Sequence, residues 1–168
     1  MAKGNIALLA MFTVMYLVPV VLVSETRVAV IAGALFVGLF GVGLTLIRVL
    51  PLPARRNVTK LQGSFIALTS IAELIAVLTG LGIGFITDAW SPFGLLLVGS
   101  VAMHFLSLTI AYRRVADYFA LTLVVVSFVL LVVQPITPLW DLWAIAGSIV
   151  AASTALYIVE LSRFLRRL

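Results

Sequence analysis

The chain has 168 residues, of which 64% are apolar and only 10% charged, with a net charge of +5. A soluble domain is about 45–50% apolar and about 25% charged, and a small one leaves much of its surface in water, so this composition excludes an ordinary water-soluble globule. Cysteine is absent and His104 is the single histidine, which removes disulfides, thiolate metal sites, iron–sulfur clusters and bis-histidine haem ligation within one chain.

Six stretches reach the roughly 20 mostly apolar residues that a bilayer crossing needs: residues 5–23, 28–48, 63–87, 92–112, 118–134 and 139–161. The reading is an all-α polytopic membrane protein, one transmembrane domain of six helices arranged as three hairpins. The first stretch is too long for a signal-peptide core, and Val21-Leu22-Val23-Ser24 is a poor cleavage site, so it reads as a retained helix. Pro19 near its end removes a backbone donor and is expected to kink it. Ser24, Glu25, Thr26 and Arg27 break the chain before the second stretch.

The longest connection, residues 49–62, holds Pro51 and Pro53, which resist helix, and the basic residues Arg55, Arg56 and Lys60. These cations fix topology and are candidates for contact with anionic lipid headgroups. Asn57-Val58-Thr59 matches a glycosylation sequon; it is predicted to face the cytoplasm and is treated as chance.

The third stretch carries the most informative residue, Glu73. An ionisable group deep in a crossing helix costs a few kcal/mol on insertion scales, and more by simulation, so it is expected to face helices or water rather than lipid. Thr69, Glu73, Ala76, Gly80, Gly84 and Thr87 recur at spacings of three and four and share one small, polar face. The fourth stretch repeats the pattern with Ser100, His104, Ser107 and Ala111. Counted from the hairpin tip at Ala89 and Trp90, Glu73 and His104 differ in depth by only ~3 Å at 1.5 Å per residue. The two stripes are predicted to face each other, with Glu73, His104, Thr69, Ser100 and Ser107 as a candidate proton or cation site. A carboxylate and an imidazole held together titrate as one coupled pair. The structural alternative is a polar pair that only joins two helices.

The fifth stretch is the shortest, and Gln134 with Pro135 reads as a cap or turn at its end. In the sixth, Gly147, Ala151 and Ala155 recur every four residues; with Gly80 and Gly84 they are read as close-packing positions. Ser153, Tyr157 and Glu160 share a face there, and Arg163 lies three residues beyond Glu160, which suggests an interfacial ion pair. The glycine clusters at 38–43 and 80–84 lack the strand, turn and helix context of a nucleotide loop.

Orientation follows from the basic residues, which are retained on the cytoplasmic side. With six crossings, Lys3, Arg48, Arg55, Arg56, Lys60, Arg113, Arg114, Arg163, Arg166 and Arg167 share one side, and Arg27 stands alone on the other. Both termini are therefore expected in the cytoplasm, in a multi-pass protein of the cell membrane. Trp90, Trp140 and Trp143 fall at the expected outer boundary, where amphipathic rings are favoured. Because the cations sort by membrane side and form no single patch, nucleic acid is rejected as a partner. The expected partners are the lipid bilayer and a second copy or another membrane protein; no cofactor and no metal site is expected.

Three function classes remain. A short chain with minimal loops and many small-residue stripes suits a non-catalytic accessory or scaffold subunit of a membrane assembly, and this is the leading reading. A transporter or channel using Glu73 and His104 is the alternative; its weakness is the scarcity of polar residues in helices one, two and five. A membrane-embedded lipid-modifying enzyme comes last, because the chain has no paired-carboxylate, HExxH or GxSxG motif.

Overall fold

The computed structural model describes residues 2–22, 25–55, 57–133 and 139–166, with side chains described except at 2–5, 8 and 139. It is all-helical. Six helices follow in order: α1 (Ala2–Leu22), α2 (Thr26–Val49), α3 (Lys60–Thr87), α4 (Ser91–Tyr112), α5 (Val115–Val133) and α6 (Leu139–Leu165). Five of them, α2 to α6, are long and apolar enough to cross a membrane; in α1 the described apolar run covers Leu9–Leu22.

The helix ends follow local chemistry. Pro51 and Pro53 follow directly on α2, whose last turn closes through the Leu50 amide donating to the Leu46 carbonyl at 2.9 Å. α3 begins three residues before the expected 63, and the cause is a capping box. The Thr59 hydroxyl accepts from the Gln62 amide at 3.2 Å, and the Gln62 side chain accepts from the Thr59 amide at 3.0 Å. α3 stops at Asp88, which takes the left-handed conformation at φ 55°, and Pro92 opens α4 in its first turn. α5 starts at Val115 rather than at 118, because Asp117 reaches back to accept from the Arg114 amide at 2.8 Å. α6 runs four residues past the expected 161.

The chain divides into two compact units, one formed by Met1–Leu50 with Ile136–Leu168 and the other by Pro51–Pro135. In the first, α6 packs against both α1 and α2, while α1 and α2 touch each other little. Tyr16 meets Gly147, and Thr13 meets Thr154 through hydroxyls 2.7 Å apart, so α1 and α6 run antiparallel. A Cβ at Gly147 would collide with the Tyr16 carbonyl oxygen, which is why only glycine allows this approach. Ala151 is fully buried in the same stripe and Ala155 is half-buried. Pro19 lies inside α1.

In the second unit α4 packs against both α3 and α5. α3 and α4 form an antiparallel hairpin in steady register from Gln62 opposite Ile110 to Gly84 opposite Trp90. A Cβ at Gly80 would lie 2.9 Å from the Phe93 Cα, and one at Gly84 would lie 2.7 Å from the Trp90 ring. The opposite side of α3 exposes Leu68, Ile71, Leu74, Ile75 and Leu78. An apolar face of this length would drive association in water.

Candidate functional site

Glu73 sits at the middle of α3, 13 residues after Lys60 and 14 before Thr87. The capping box sets this position, since it lengthens the helix at its start. The hairpin register carries His104 of α4 to the same level. His104 Nδ1 lies 3.8 Å from Glu73 Oε2, too far for a hydrogen bond. Both side chains are partly covered, with 24% of His104 and 16% of Glu73 exposed.

Ser70 completes the cluster, one turn before Glu73. Its hydroxyl lies 3.2 Å from His104 Nδ1 and 2.9 Å from the Ile66 carbonyl. A hydroxyl has one hydrogen to give. With that hydrogen on the Ile66 carbonyl, Nδ1 carries a proton and donates to Ser70, and the same N–H borders the Glu73 carboxylate. This tautomer fits both contacts of the Ser70 hydroxyl. Ser70 was not among the residues singled out by the sequence, although Ser70 and Glu73 are three apart and so share a helix face. The polar stripe drawn through Thr69 passes one position to its side.

Thr69 and Ser107 lie beneath the pair and are buried. Thr69 donates to the Ser107 hydroxyl at 3.0 Å, and Ser107 donates to the His104 carbonyl at 2.7 Å. These two residues hold the helices together at the level of His104 and leave no spare hydroxyl hydrogen. Ser100 does not join them: its hydroxyl donates to the Leu97 carbonyl at 2.9 Å within α4. Glu73 is different. Among the described residues, His104 Nδ1 is the one polar group in reach of its carboxylate, and the acceptor capacity of the carboxylate is otherwise unfilled. Among the described residues no three His, Asp or Glu side chains gather as a metal site.

A second polar cluster lies at the far end of the hairpin. Asp117 is fully buried and takes Arg114 in a two-pronged contact, Nη2 to Oδ1 at 2.8 Å and Nε to Oδ2 at 3.0 Å. The Thr109 hydroxyl lies 2.8 Å from the Phe105 carbonyl and 3.2 Å from the Asp117 carbonyl, which share its one hydrogen. The Arg114 guanidinium also stacks 5.0 Å above the Tyr112 ring. The sequence presents Asp117 as a loop residue between two crossings; the signal for its role is its position three residues after the helix cap. Arg55 and Lys60 are exposed beside this end of the unit, and the Arg55 amide donates to the Tyr112 carbonyl at 2.9 Å. Arg56, Gln134 and Pro135 lie outside the described residues. In the other unit, Ser153 and Tyr157 are buried on α6, and Glu160 is half-buried one turn from Arg163.

The chain matches no protein-family model, no curated protein and no solved structure.

Proposed function

We propose that this chain crosses the cell membrane six times as three hairpins, with both termini in the cytoplasm, and serves as a non-catalytic subunit of a membrane assembly. The distribution of lysine and arginine supports the orientation, and the exposed apolar faces of α2 and α3 support lipid as the solvent. The contact with the assembly is the flank of α3 and α4 around Glu73.

One observation carries this reading: a mid-helix carboxylate, part-exposed on an apolar flank, has an imidazole at 3.8 Å and no hydrogen-bond partner among the described residues. In hydrocarbon such a group calls for a donor. A partner helix bearing a basic or hydroxyl side chain supplies one and buries the leucines and isoleucines beside it. The hydroxyls nearby donate to backbone carbonyls, and Ser70 and Glu73 both face the same His104 nitrogen, so the three are not arranged as a nucleophile–base–acid triad. This weighs against the lipid-modifying alternative.

A photo-cross-linking residue in place of Ser70, on the exposed edge of the cluster, tests the reading in native membranes. A discrete protein adduct that Glu73→Leu abolishes supports it. Lipid adducts alone, unchanged by Glu73→Leu, remove it.

The second reading, proton or cation movement, is favoured by the run of exchangeable groups from Ser70 through His104 to Glu73. Proton flux in vesicles separates the two. An assembly subunit gives the same flux with Glu73 or with Glu73→Gln, whereas a proton site loses it.

A further inference from the structure

Three cations of the Pro51–Pro135 unit stand at positions that share one end of the α3–α4 hairpin. The Arg55 amide donates to the Tyr112 carbonyl, which ties the connection before α3 to the residue preceding Arg113. The Gln62 side chain donates to the Ile110 carbonyl at 3.3 Å, which brings the first turn of α3, and with it Lys60, to the same helix end. Arg55, Lys60 and Arg113 are all exposed, and their side chains have no ion-pair or hydrogen-bond partner among the described residues.

A fourth cation among the described residues of this unit, Arg114, is not available in the same way, because the buried Asp117 neutralises it. The other carboxylates of the unit are remote. Glu73 lies 13 residues along α3 from Lys60, about 20 Å at 1.5 Å per residue, and Asp88 ends the helix about 42 Å away. Nothing in this unit balances the three charges.

Arg113 adds an argument from the backbone. It caps α4 in the left-handed conformation at φ 57°, where glycine or asparagine is the less strained choice. The strain is accepted at a position that projects a guanidinium from the helix end. Leu61, 81% exposed, and Leu52, 50% exposed, place apolar surface next to the cations.

We propose that Arg55, Lys60 and Arg113 form a binding site for the phosphate of an anionic phospholipid headgroup, with Leu52 and Leu61 against its acyl chains. Guanidinium groups match phosphate oxygens in pairs, and lysine adds a point charge. The adjacent apolar residues commit the site to an amphiphile over a free anion. The inference rests on the chain lying in a membrane and is independent of the role of Glu73.

Each basic side chain near an anionic surface strengthens binding about fivefold, so the three together are worth roughly a hundredfold. Native mass spectrometry of the full chain, released from mixed phosphatidylglycerol and phosphatidylcholine nanodiscs, tests this. The wild type is expected to retain phosphatidylglycerol preferentially. Arg55→Gln with Lys60→Gln and Arg113→Gln is expected to lose that preference about a hundredfold. If the triple variant does not fold, Arg55→Gln and Arg113→Gln alone are each expected to lose about fivefold. Arg163→Gln with Arg166→Gln, which removes two cations from the other unit, leaves the preference intact. Equal retention of both lipids by the wild type overturns the proposal. So does an undiminished preference in the triple or single variants, or an equal loss in the Arg163 and Arg166 control. Displacement of the lipid by inorganic phosphate at matched concentration would assign the site to a free anion and overturns it as well.

Discussion

The glycines of α3 offer a controlled measurement of helix contact. Gly80, Gly82 and Gly84 lie within five residues of one helix, yet their surroundings differ. A Cβ at Gly80 would stand 2.9 Å from the Phe93 Cα and 3.1 Å from its Cδ2, whereas a Cβ at Gly82 would meet nothing within 4 Å. Ordinary carbon–carbon contact lies at about 3.5–4.0 Å, so Gly80→Ala forces the two helices apart by at least ~0.6 Å. Backbone is the obstacle, and no rotamer change relieves it. Such overpacking typically costs about 1–3 kcal/mol. Alanine also favours helix over glycine by about 0.8–1.0 kcal/mol. That gain is common to Gly80→Ala and Gly82→Ala and cancels in their difference. Gly82→Ala is therefore expected to be more stable than Gly80→Ala by about 1–3 kcal/mol.

Gly84→Ala meets the Trp90 ring at 2.7 and 2.8 Å. That ring is a side chain, but it sits edge-on between Phe85 and Phe93, with centroids 5.2 and 6.2 Å away. Gly84→Ala should fall between the other two. Reversible unfolding in mixed detergent micelles, read by fluorescence in a Trp140→Phe and Trp143→Phe background, makes Trp90 the reporter of this unit. Equal midpoints for Gly80→Ala and Gly82→Ala would refute the contact geometry from which the difference is derived.

The same unfolding assay, read by circular dichroism, checks four further outcomes. Gly147→Ala is expected to be less stable than Gly41→Ala by about 1–3 kcal/mol, because its Cβ would strike the Tyr16 carbonyl; Gly41→Ala on α2, with nothing within 4 Å, is the control that carries only the helix-propensity gain. Thr69→Val is expected to cost about 0.6 kcal/mol, the usual worth of a hydrogen bond between membrane helices, and a cycle with Ser107→Ala should recover that value as coupling. Asp117→Ala breaks a buried ion pair, a change that costs about 3–5 kcal/mol where the orphaned partner is also buried. Arg114 is 31% exposed and can turn to water, so about 2 kcal/mol is expected. Arg113→Gly relieves left-handed strain and is expected to stabilise by about 1 kcal/mol, whereas Arg113→Ala, which keeps the strain and also removes the charge, gives no such gain.

The amino-acid order alone carries the solvent of this protein and the number of its helices. Apolar runs of about 20 residues are long enough to show in one dimension, and the prolines, the charge-rich breaks and the aspartates that end them are local signals. Glu73 and His104 were visible for the same reason: an ionisable residue inside an apolar run stands out without any neighbour being known. The short-range caps were also present in the text of the chain. Thr59 with Gln62 three residues on is a capping-box spacing, but it lies ahead of the apolar run that opens at residue 63.

What required the tertiary structure was every relation between distant residues. Helix packing in a membrane depends on close approach of small residues over several ångströms, and a one-residue turn of a helix by 100° changes which of them meet. The register of α3 against α4 brings Ser70 to the His104 ring, while Ser100 donates its hydroxyl hydrogen to the Leu97 carbonyl within α4. The same register leaves Gly82 open while Gly80 and Gly84 are closed in. The partnership of α6 with both α1 and α2, and the burial of Asp117 beneath Arg114, likewise follow from how surfaces fit. Hydropathy ranks each residue by its preference for oil. It is blind to side-by-side contact, where a single methyl group or hydroxyl decides which faces meet.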